Sequence, residues 1–552
     1  MRRRRVLATA ALLAVALLIA GVRTLQVMVL QHPHWAALAR RQHQREVKAP
    51  SRRGSIRTAD GYLLASSVER VTIQVDSAAL DYPDLFAAAA STILGLPRDT
   101  VTRRLHRRWS WLAQQVPRAT GERVRALAPR AVVLVPDAAR AYPLGTVAAP
   151  LVGFVGREAM RTVGRWGLEQ RFDVSLTGTP GTMLAVYDAG RRRLQLRPLR
   201  EGHPGADLEL TILARLQASC EADLEQVRRS LGARSAAAVV MDPYSGDLLA
   251  LVSLPSFDPE RPGAAGPSRW RLHPVQDAWE PGSTVKPFLA AAALAAGAVR
   301  PGERFDCHRR GIEFEGRWIR DHAPPGSYTL DEVIVHSSNA GTVAVAARLG
   351  PARLHDTFAA FGLGRRPGLG FPGETAGLLA GPAGWSRLTP AGFGLGEELT
   401  VSPLQLAAAY AVIANGGWRI RPRLVRTDPP RLGTVRVLDG ALARRVAGML
   451  ERVVTEGTGK AAAVPGFRVG GKTGTAQRAV AGGFDEVHHV VWFAGFLPLP
   501  SPRAVIVVAL ENPVRDHWAS STAAPAFARL AWNTMRILGV PPEGSPAVGR
   551  RS

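Results

Sequence analysis

The sequence predicts an α+β multidomain chain: a single N-terminal transmembrane helix, an α/β module, and a C-terminal domain whose antiparallel sheet is flanked by helices. Three observations carry this. Four arginines lead into an uncharged run over residues 6–22, 17 residues long and at the short limit for a membrane span. At 552 residues the chain exceeds what one hydrophobic core holds, about 250 to 300 residues. Strand patterns stand at both ends of one region, over 235–254 and 467–510, with Ala- and Leu-rich helical stretches between them, so both ends would close one sheet.

Residues 1–5 read as a cytoplasmic tail and 6–30 as the membrane helix, since apolar character resumes after Arg23 with LQVMVL. No small-x-small cleavage pattern follows the run, which marks an uncleaved signal anchor. The arginines before it keep the N-terminus inside the cytoplasmic membrane and place the rest of this single-pass chain on the extracytoplasmic, periplasmic side. Residues 31–48 are a polar, helix-compatible stalk. From 49 to 205, short apolar runs (VTIQV, AVVLV, LVGFV, MLAVY) alternate with Gly and Pro turns. Residues 206–545 form the C-terminal domain, in which LELTIL leads into a helix and SAAAVVMDPYSGDLLALVSL is a hairpin. Residues 546–552 are a tail.

A net charge of +25 raises the question of nucleic acid. The arginines are scattered among Ala, Gly and Pro, and an exported domain does not meet nucleic acid, so no such partner is expected. Cys220 and Cys307 are too few for a disulfide framework, and the sequence leaves their pairing open.

Three short motifs occur once each: Ser283-Thr-Val-Lys286, Ser337-Ser-Asn339 and Lys472-Thr473-Gly474, the last followed by Thr475. Each alone is weak, but all three in this order arise by chance on the order of once in several hundred such chains. Of 70 basic residues only four are lysines, Lys48, Lys286, Lys460 and Lys472. At i and i+3 on a helix, a serine hydroxyl and a lysine amine share a face, and a serine needs a base to become a nucleophile. A lysine starting near ~10.4 must drop by about 3 pH units, roughly 4 kcal/mol, to be neutral at working pH; burial and a second cation can do this. Arginine cannot lose its proton in a protein. The alternative for this motif is an accidental serine beside a snorkelling lysine.

In VGGKTGTAQ a lysine and hydroxyls can hold a carboxylate, and Gly474 admits another backbone to the strand edge. The alternative is an edge strand guarded by Lys and Gly. Ser337 and Asn339 offer a proton-relaying hydroxyl and a carbonyl-gripping amide, or a helix cap. GLGFPG at 368–373 carries a proline and precedes no helical pattern, so it reads as a loop and not a dinucleotide site. His488 and His489 alternate across a strand, and neither a metal centre nor a cofactor is expected.

With these motifs and their spacings, 54 residues from Ser283 to Ser337 and 133 from Asn339 to Lys472, the chain resembles the class B penicillin-binding proteins, monofunctional peptidoglycan D,D-transpeptidases. RRGSIRTADGYLLASS, YPLGTVAAPLVGFVG, GLEQRFDVSLTGTPG, TVSPLQLAAAYAVIANGG and AAPAFARLAWNTMRILGVPP extend the likeness from the anchor almost to the C-terminus. SSNAG and the compact N-terminal region look more like the septal branch, FtsI-like or penicillin-binding protein 3-like, than the elongation type. The resemblance implies a pedestal (dimerisation-type) domain at 49–205 and a penicillin-binding/β-lactamase-like transpeptidase domain at 206–545.

It also implies cross-linking of peptidoglycan stem peptides, with a D-Ala-D-Ala donor and an amine acceptor. Ser283 would attack, Lys286 take its proton, and Ser337 relay a proton to the leaving group. Asn339 would position the acyl peptide, Lys472 and Thr473 would hold the terminal carboxylate, and the N–H groups of Ser283 and Thr475 would form the oxyanion hole. β-Lactam antibiotics would be trapped at the same serine, and an FtsW-type membrane glycosyltransferase and other division proteins would be partners. The alternatives are an elongation-type transpeptidase, a carboxypeptidase or β-lactamase, and a non-turnover division scaffold that binds β-lactams. Two departures from the family wording, Thr58-Ala59-Asp60-Gly61 and Trp270-Arg271, put local packing in question.

Overall fold

The computed structural model describes residues 2–49, 51–158, 161–187, 193–426, 435–480 and 483–544. Helix α1 (Arg2–Leu25) passes into a π-helical turn, Gln26–Leu30, with none of its residues buried. Arg2–Leu30 is thus one helix long and apolar enough to cross a membrane, consistent with an anchor.

The contacts divide the chain into two interleaved units. The smaller comprises the chain up to Arg53, Val71–Ala138 and Thr177–Gly205. Its core gathers Ile73, Val75, Phe86, Val101, Leu112 and Val124. The polar stretch expected to be a helical stalk is a helix only over His32–His43. Gln44–Ala49 is instead a strand, at the edge of a three-stranded sheet and antiparallel to Gly181–Tyr187. Its sequence, QREVKA, opens on three polar residues and carries three charges, in the style of an edge strand.

The larger unit comprises Gly54–Arg70, Ala139–Leu176 and the chain from Ala206 onward. Helix α2 (Ala214–Leu231) precedes the hairpin β1 (Ser235–Met241) and β2 (Leu248–Leu254). Helices α3 (Lys286–Ala295), α4 (Leu330–Val335), α5 (Asn339–Ala360) and α6 (Pro403–Ala414) follow. Strands β3 (Gly470–Val480), β4 (Gly483–Leu497) and β5 (Ala504–Glu511) and helix α7 (Ala523–Ile537) come last.

The sheet order is β2-β1-β5-β4-β3, antiparallel throughout. Ser235 pairs with Glu511, so the first and last strands of the region meet at the sheet's centre, as the pattern predicts. Successive residues of β1 alternate between two cores. Ala237, Val239 and Met241 pack with Phe288, Leu404 and Tyr410 on one side. Ala236, Ala238 and Val240 pack with Leu216, Leu224, Phe527 and Leu530 on the other. Helices cover both faces, which is why β1 reads as a continuous apolar run.

Both departures from the family wording have definite packing. Asp60 Oδ1 accepts from Ala214 N at 2.9 Å, capping α2, whose own N-cap residue, Leu213, supplies no side-chain acceptor. The Trp270 ring lies edge-on to Phe154, centroids 4.9 Å apart, and its carbonyl accepts from Trp166 Nε1 at 2.6 Å. Arg271 pairs with Asp277. Cys220 and Cys307 are free and buried.

Arg140 and Glu169 form an ion pair at 2.6 Å with side chains 1% and 0% exposed, and Arg140 Nη1 also donates to Gly54 O at 2.8 Å. Removing one partner of such a pair strands a buried charge. Glu169→Ala is therefore expected to lower stability by about 3 to 5 kcal/mol, read as a fall in the urea midpoint of the purified protein.

Candidate active site

Ser283 stands in a single 3-10 turn, Gly282–Val285, that runs directly into α3. With three residues per turn, positions i and i+3 eclipse, so Ser283 and Lys286 face the same way, as predicted for an α-helix by a slightly different route. Gly282 has φ +53, a conformation glycine adopts without penalty. The turn is fixed from three sides. Gly282 N donates to Gly396 O at 3.1 Å, Tyr410 OH to Thr284 O at 2.8 Å, and Trp492 Nε1 to Glu280 O at 3.0 Å.

Lys286 is 0% exposed. Its Nζ donates to Ser337 O and Asn339 Oδ1, both at 2.8 Å, and lies 3.4 Å from Ser337 Oγ. Burial pushes its amine down to about 7, against the charges of Asp321 and Glu397, which favour the ammonium. Desolvation is thus the dominant cause, as it is whenever a cation loses water without a close anion. The other buried lysine of the site, Lys472, is also 0% exposed. Burial and the charge of Lys286 together hold its amine well below the ordinary lysine range.

The Ser-Ser-Asn segment links α4 to α5. Helix α4 opens with a capping box between Thr329 and Glu332 and ends at His336. Ser337 then takes φ +57, a strained conformation for a residue with a Cβ, of the kind that clusters at functional sites. A helix cap is present, but it is the middle serine: Ser338 Oγ accepts from Gly341 N at 3.1 Å. This division leaves Ser337 and Asn339 free to turn toward Lys286. Asn339 Nδ2 donates to Arg320 O at 2.9 Å, which orients its oxygen toward the amine.

The third motif lies on β3, an edge strand of the sheet. Lys472 Nζ lies within 3.4 Å of Thr473 O and Oγ1. A Cβ at Gly474 would meet Pro281 O at 2.6 Å and Thr284 Cγ2 at 2.7 Å. The backbone that approaches this glycine is thus the serine-bearing turn itself.

Ser283, Ser337, Asn339, Thr473, Gly474 and Thr475 all line one cleft of about 520 Å³, with Lys286 and Lys472 buried beneath it. Four further residues carried no motif signal. Asp321 accepts from Asn339 N (3.0 Å), Ala340 N (2.9 Å), Ala323 N (3.0 Å) and Ser338 Oγ. Thr458 Oγ1 shares a 2.8 Å hydrogen bond with Thr473 Oγ1. Glu397 lines the cleft, its carboxyl pushed up by burial. Glu280 is pushed up to about 7 by burial, with Glu397 and Glu398 adding to the rise. The loop at 368–373 turns its N–H groups inward: Gly368, Leu369 and Gly370 donate to Glu374 at 2.7, 2.9 and 2.9 Å. A carboxylate of the chain itself fills the place a phosphate would take.

An antiparallel sheet between helices, with a serine turn, a buried lysine and a K-T-G edge strand around one cleft, defines an active-site serine acyltransferase fold. The chain belongs to the penicillin-binding proteins: residues 236–531 match the penicillin-binding protein transpeptidase domain and 48–210 the penicillin-binding protein dimerisation domain. It is 31% identical to "Peptidoglycan D,D-transpeptidase FtsI" of Escherichia coli K12, over 96% of this chain and 91% of that one. It is 30% identical to "Probable peptidoglycan D,D-transpeptidase PbpC" of Pseudomonas aeruginosa, over 100% and 98%. A crystal structure of penicillin-binding protein 3 from Mycobacterium tuberculosis with ampicillin superposes with a TM-score of 0.70 at 28% identity, over 91% of this chain and 98% of that one.

The Gly474 contact gives a direct test. Gly474→Ala is expected to push the Ser283 turn out of register and slow acylation by a β-lactam about a hundredfold, the scale of a ~1 Å misplacement. An acylation rate matching wild type would show that the turn tolerates the displacement.

Proposed function

We propose that this chain is a peptidoglycan D,D-transpeptidase of the septal, FtsI-like type, which cross-links stem peptides through a serine acyl-enzyme and is trapped by β-lactams. The observation that carries this reading is the buried Lys286 amine, 2.8 Å from Asn339 Oδ1 and 3.4 Å from Ser337 Oγ, beneath a cleft lined by Ser283 and Thr473–Thr475. The relatives named D,D-transpeptidase support the same conclusion.

In this mechanism Ser283 Oγ attacks the carbonyl carbon of the penultimate D-Ala while Lys286 Nζ takes the hydroxyl proton. The N–H groups of Ser283 and Thr475 accommodate the oxyanion, and Lys472 and Thr473 hold the terminal carboxylate. Ser337 passes a proton to the amine of the departing D-Ala. Asn339 positions the acyl peptide until an acceptor amine attacks the ester and releases Ser283. The apolar helix anchors the chain with residues 1–5 cytoplasmic, the pedestal at 49–205 and the transpeptidase domain at 206–545 outside. There it works with an FtsW-type glycosyltransferase and other division proteins.

Intact-protein mass after exposure to a penicillin tests this. One stable penicilloyl adduct is expected, absent in Ser283→Ala; a folded wild type that leaves the drug intact and unbound would favour the scaffold reading. Lys286→Arg keeps the charge but cannot lose a proton, so acylation is expected to vanish, and near-normal acylation would sink the base role. Because the neutral amine is the active form and its pKa is about 7, the acylation rate is expected to fall about tenfold per pH unit below that point and to level off above it.

A further inference from the structure

We propose that Asp321 is a positioning residue of this site. Its carboxylate holds the 337–339 segment in the conformation that presents Ser337 and Asn339 to Lys286. The inference rests on the transpeptidase reading of the site and adds to it a residue outside the three motifs.

Asp321 is 7% exposed and stands outside the helices that carry the serine motifs. Both of its oxygens are engaged. Oδ1 receives Asn339 N and Ala323 N, each at 3.0 Å; Oδ2 receives Ala340 N at 2.9 Å and the hydroxyl of Ser338. Asn339 and Ala340 open α5, so the carboxylate meets otherwise unpaired N–H groups at the positive end of a helix. Ser338, which is 0% exposed, is thereby tied to Asp321 and to Gly341 N together. The residue just before it, Ser337, holds φ +57, a conformation that persists only where its surroundings over-determine it. Asp321 supplies that determination on one side and the capping box of α4 on the other.

The second effect is electrostatic. The charged groups facing Lys286 are Asp321, Glu397 and Lys472, and Glu397 is in turn faced by Arg317. Burial raises the Glu397 carboxyl. Asp321 is pushed up by burial as well, but the Ser338 hydroxyl and three backbone N–H groups outweigh this and hold it below the usual carboxylate range. Hydrogen bonding thus favours the ionised form of Asp321, whereas burial favours the neutral form of Glu397. The Asp321 charge favours the protonated amine, so removing the charge moves the deprotonation of Lys286 to lower pH.

The test is the pH profile of β-lactam acylation for wild type, Asp321→Asn, Asp321→Glu and Ser338→Ala. Asp321→Asn loses the charge and turns an N–H donor toward Ala340 N. Its acid limb is expected about one pH unit below that of wild type, with a plateau at least about tenfold lower. Asp321→Glu keeps the charge but shifts the oxygens: the limb should stay in place while the plateau falls. Ser338→Ala, which leaves the carboxylate and both α5 N–H bonds intact, should lower the plateau alone and keeps the proposal testable if an Asp321 variant does not fold. A common drop with no movement of the limb in Asp321→Asn would overturn the charge effect. Plateaus matching wild type in all folded variants would overturn the positioning role. A wild type that forms no adduct would bring down the transpeptidase reading and this inference together, whereas an acylating wild type with indifferent variants removes only the inference.

Discussion

The site depends on one energetic fact: the Lys286 amine is wholly removed from water and is compensated by oxygens that carry no formal charge. Moving an ammonium into such surroundings costs several kcal/mol unless an anion accompanies it. Here its close partners are two backbone-adjacent acceptors, Ser337 O and Asn339 Oδ1 at 2.8 Å, while Asp321 and Glu397 act at longer range. The balance leaves the proton weakly held without expelling the group from the protein. Every neighbouring feature serves that balance. The 3-10 turn delivers Ser283 to the same side, the strained Ser337 brings its carbonyl inward, and the middle serine of the motif takes over the capping so that its neighbours need not.

Close backbone approach is the second requirement, and glycine meets it. A Cβ at Gly396 would lie 2.0 Å from Gly282 O, one at Gly282 2.7 Å from Thr475 O, and one at Gly474 2.6 Å from Pro281 O. These three contacts stack the serine turn between the 396 loop and β3. The turn is therefore located by main-chain packing, which side-chain rotation cannot relax, and the Tyr410 and Trp492 hydrogen bonds fix what remains. Pre-positioning of this kind lowers the entropic part of a barrier before any substrate arrives.

Much of this was legible from the residues. The strands at 235–254 and within 467–510 lie where period and turn chemistry put them, because most are apolar runs bounded by turn residues. The lysine count singled out Lys286 and Lys472, and these two are 0% exposed, whereas Lys460 is exposed. Asp321, Thr458, Glu397 and Glu280 gave no signal. Each acts on a partner distant in sequence or on backbone N–H groups, and a single Asp, Glu or Thr has no spacing to recognise until the fold supplies its neighbours. Gln44–Ala49 differs from the helix-compatible stalk for a related reason: a short charged stretch becomes a strand when a partner is at hand, and here that partner, Gly181–Tyr187, lies more than a hundred residues away in sequence.

Two buried lysine amines in one site also constrain each other. Charge on Lys286 disfavours charge on Lys472, and Coulomb coupling is reciprocal. Lys286 has Asp321 and Glu397 to steady its proton, while Lys472, among the described residues, reaches the oxygens of Thr473. An anionic group entering beside Lys472 and Thr473 would supply the counter-charge that this lysine lacks and favour its ammonium form. Seen from Lys286, the anion's own charge offsets the proton that Lys472 gains, so the balance at Lys286 stays with its burial and with Asp321 and Glu397. In the mechanism proposed above, the carboxylate of the donor peptide is such a group. Substrate binding would therefore do more than place the scissile carbonyl over Ser283: it would settle a proton on Lys472, while the readiness of Lys286 to accept the serine's hydrogen is built into the site by burial.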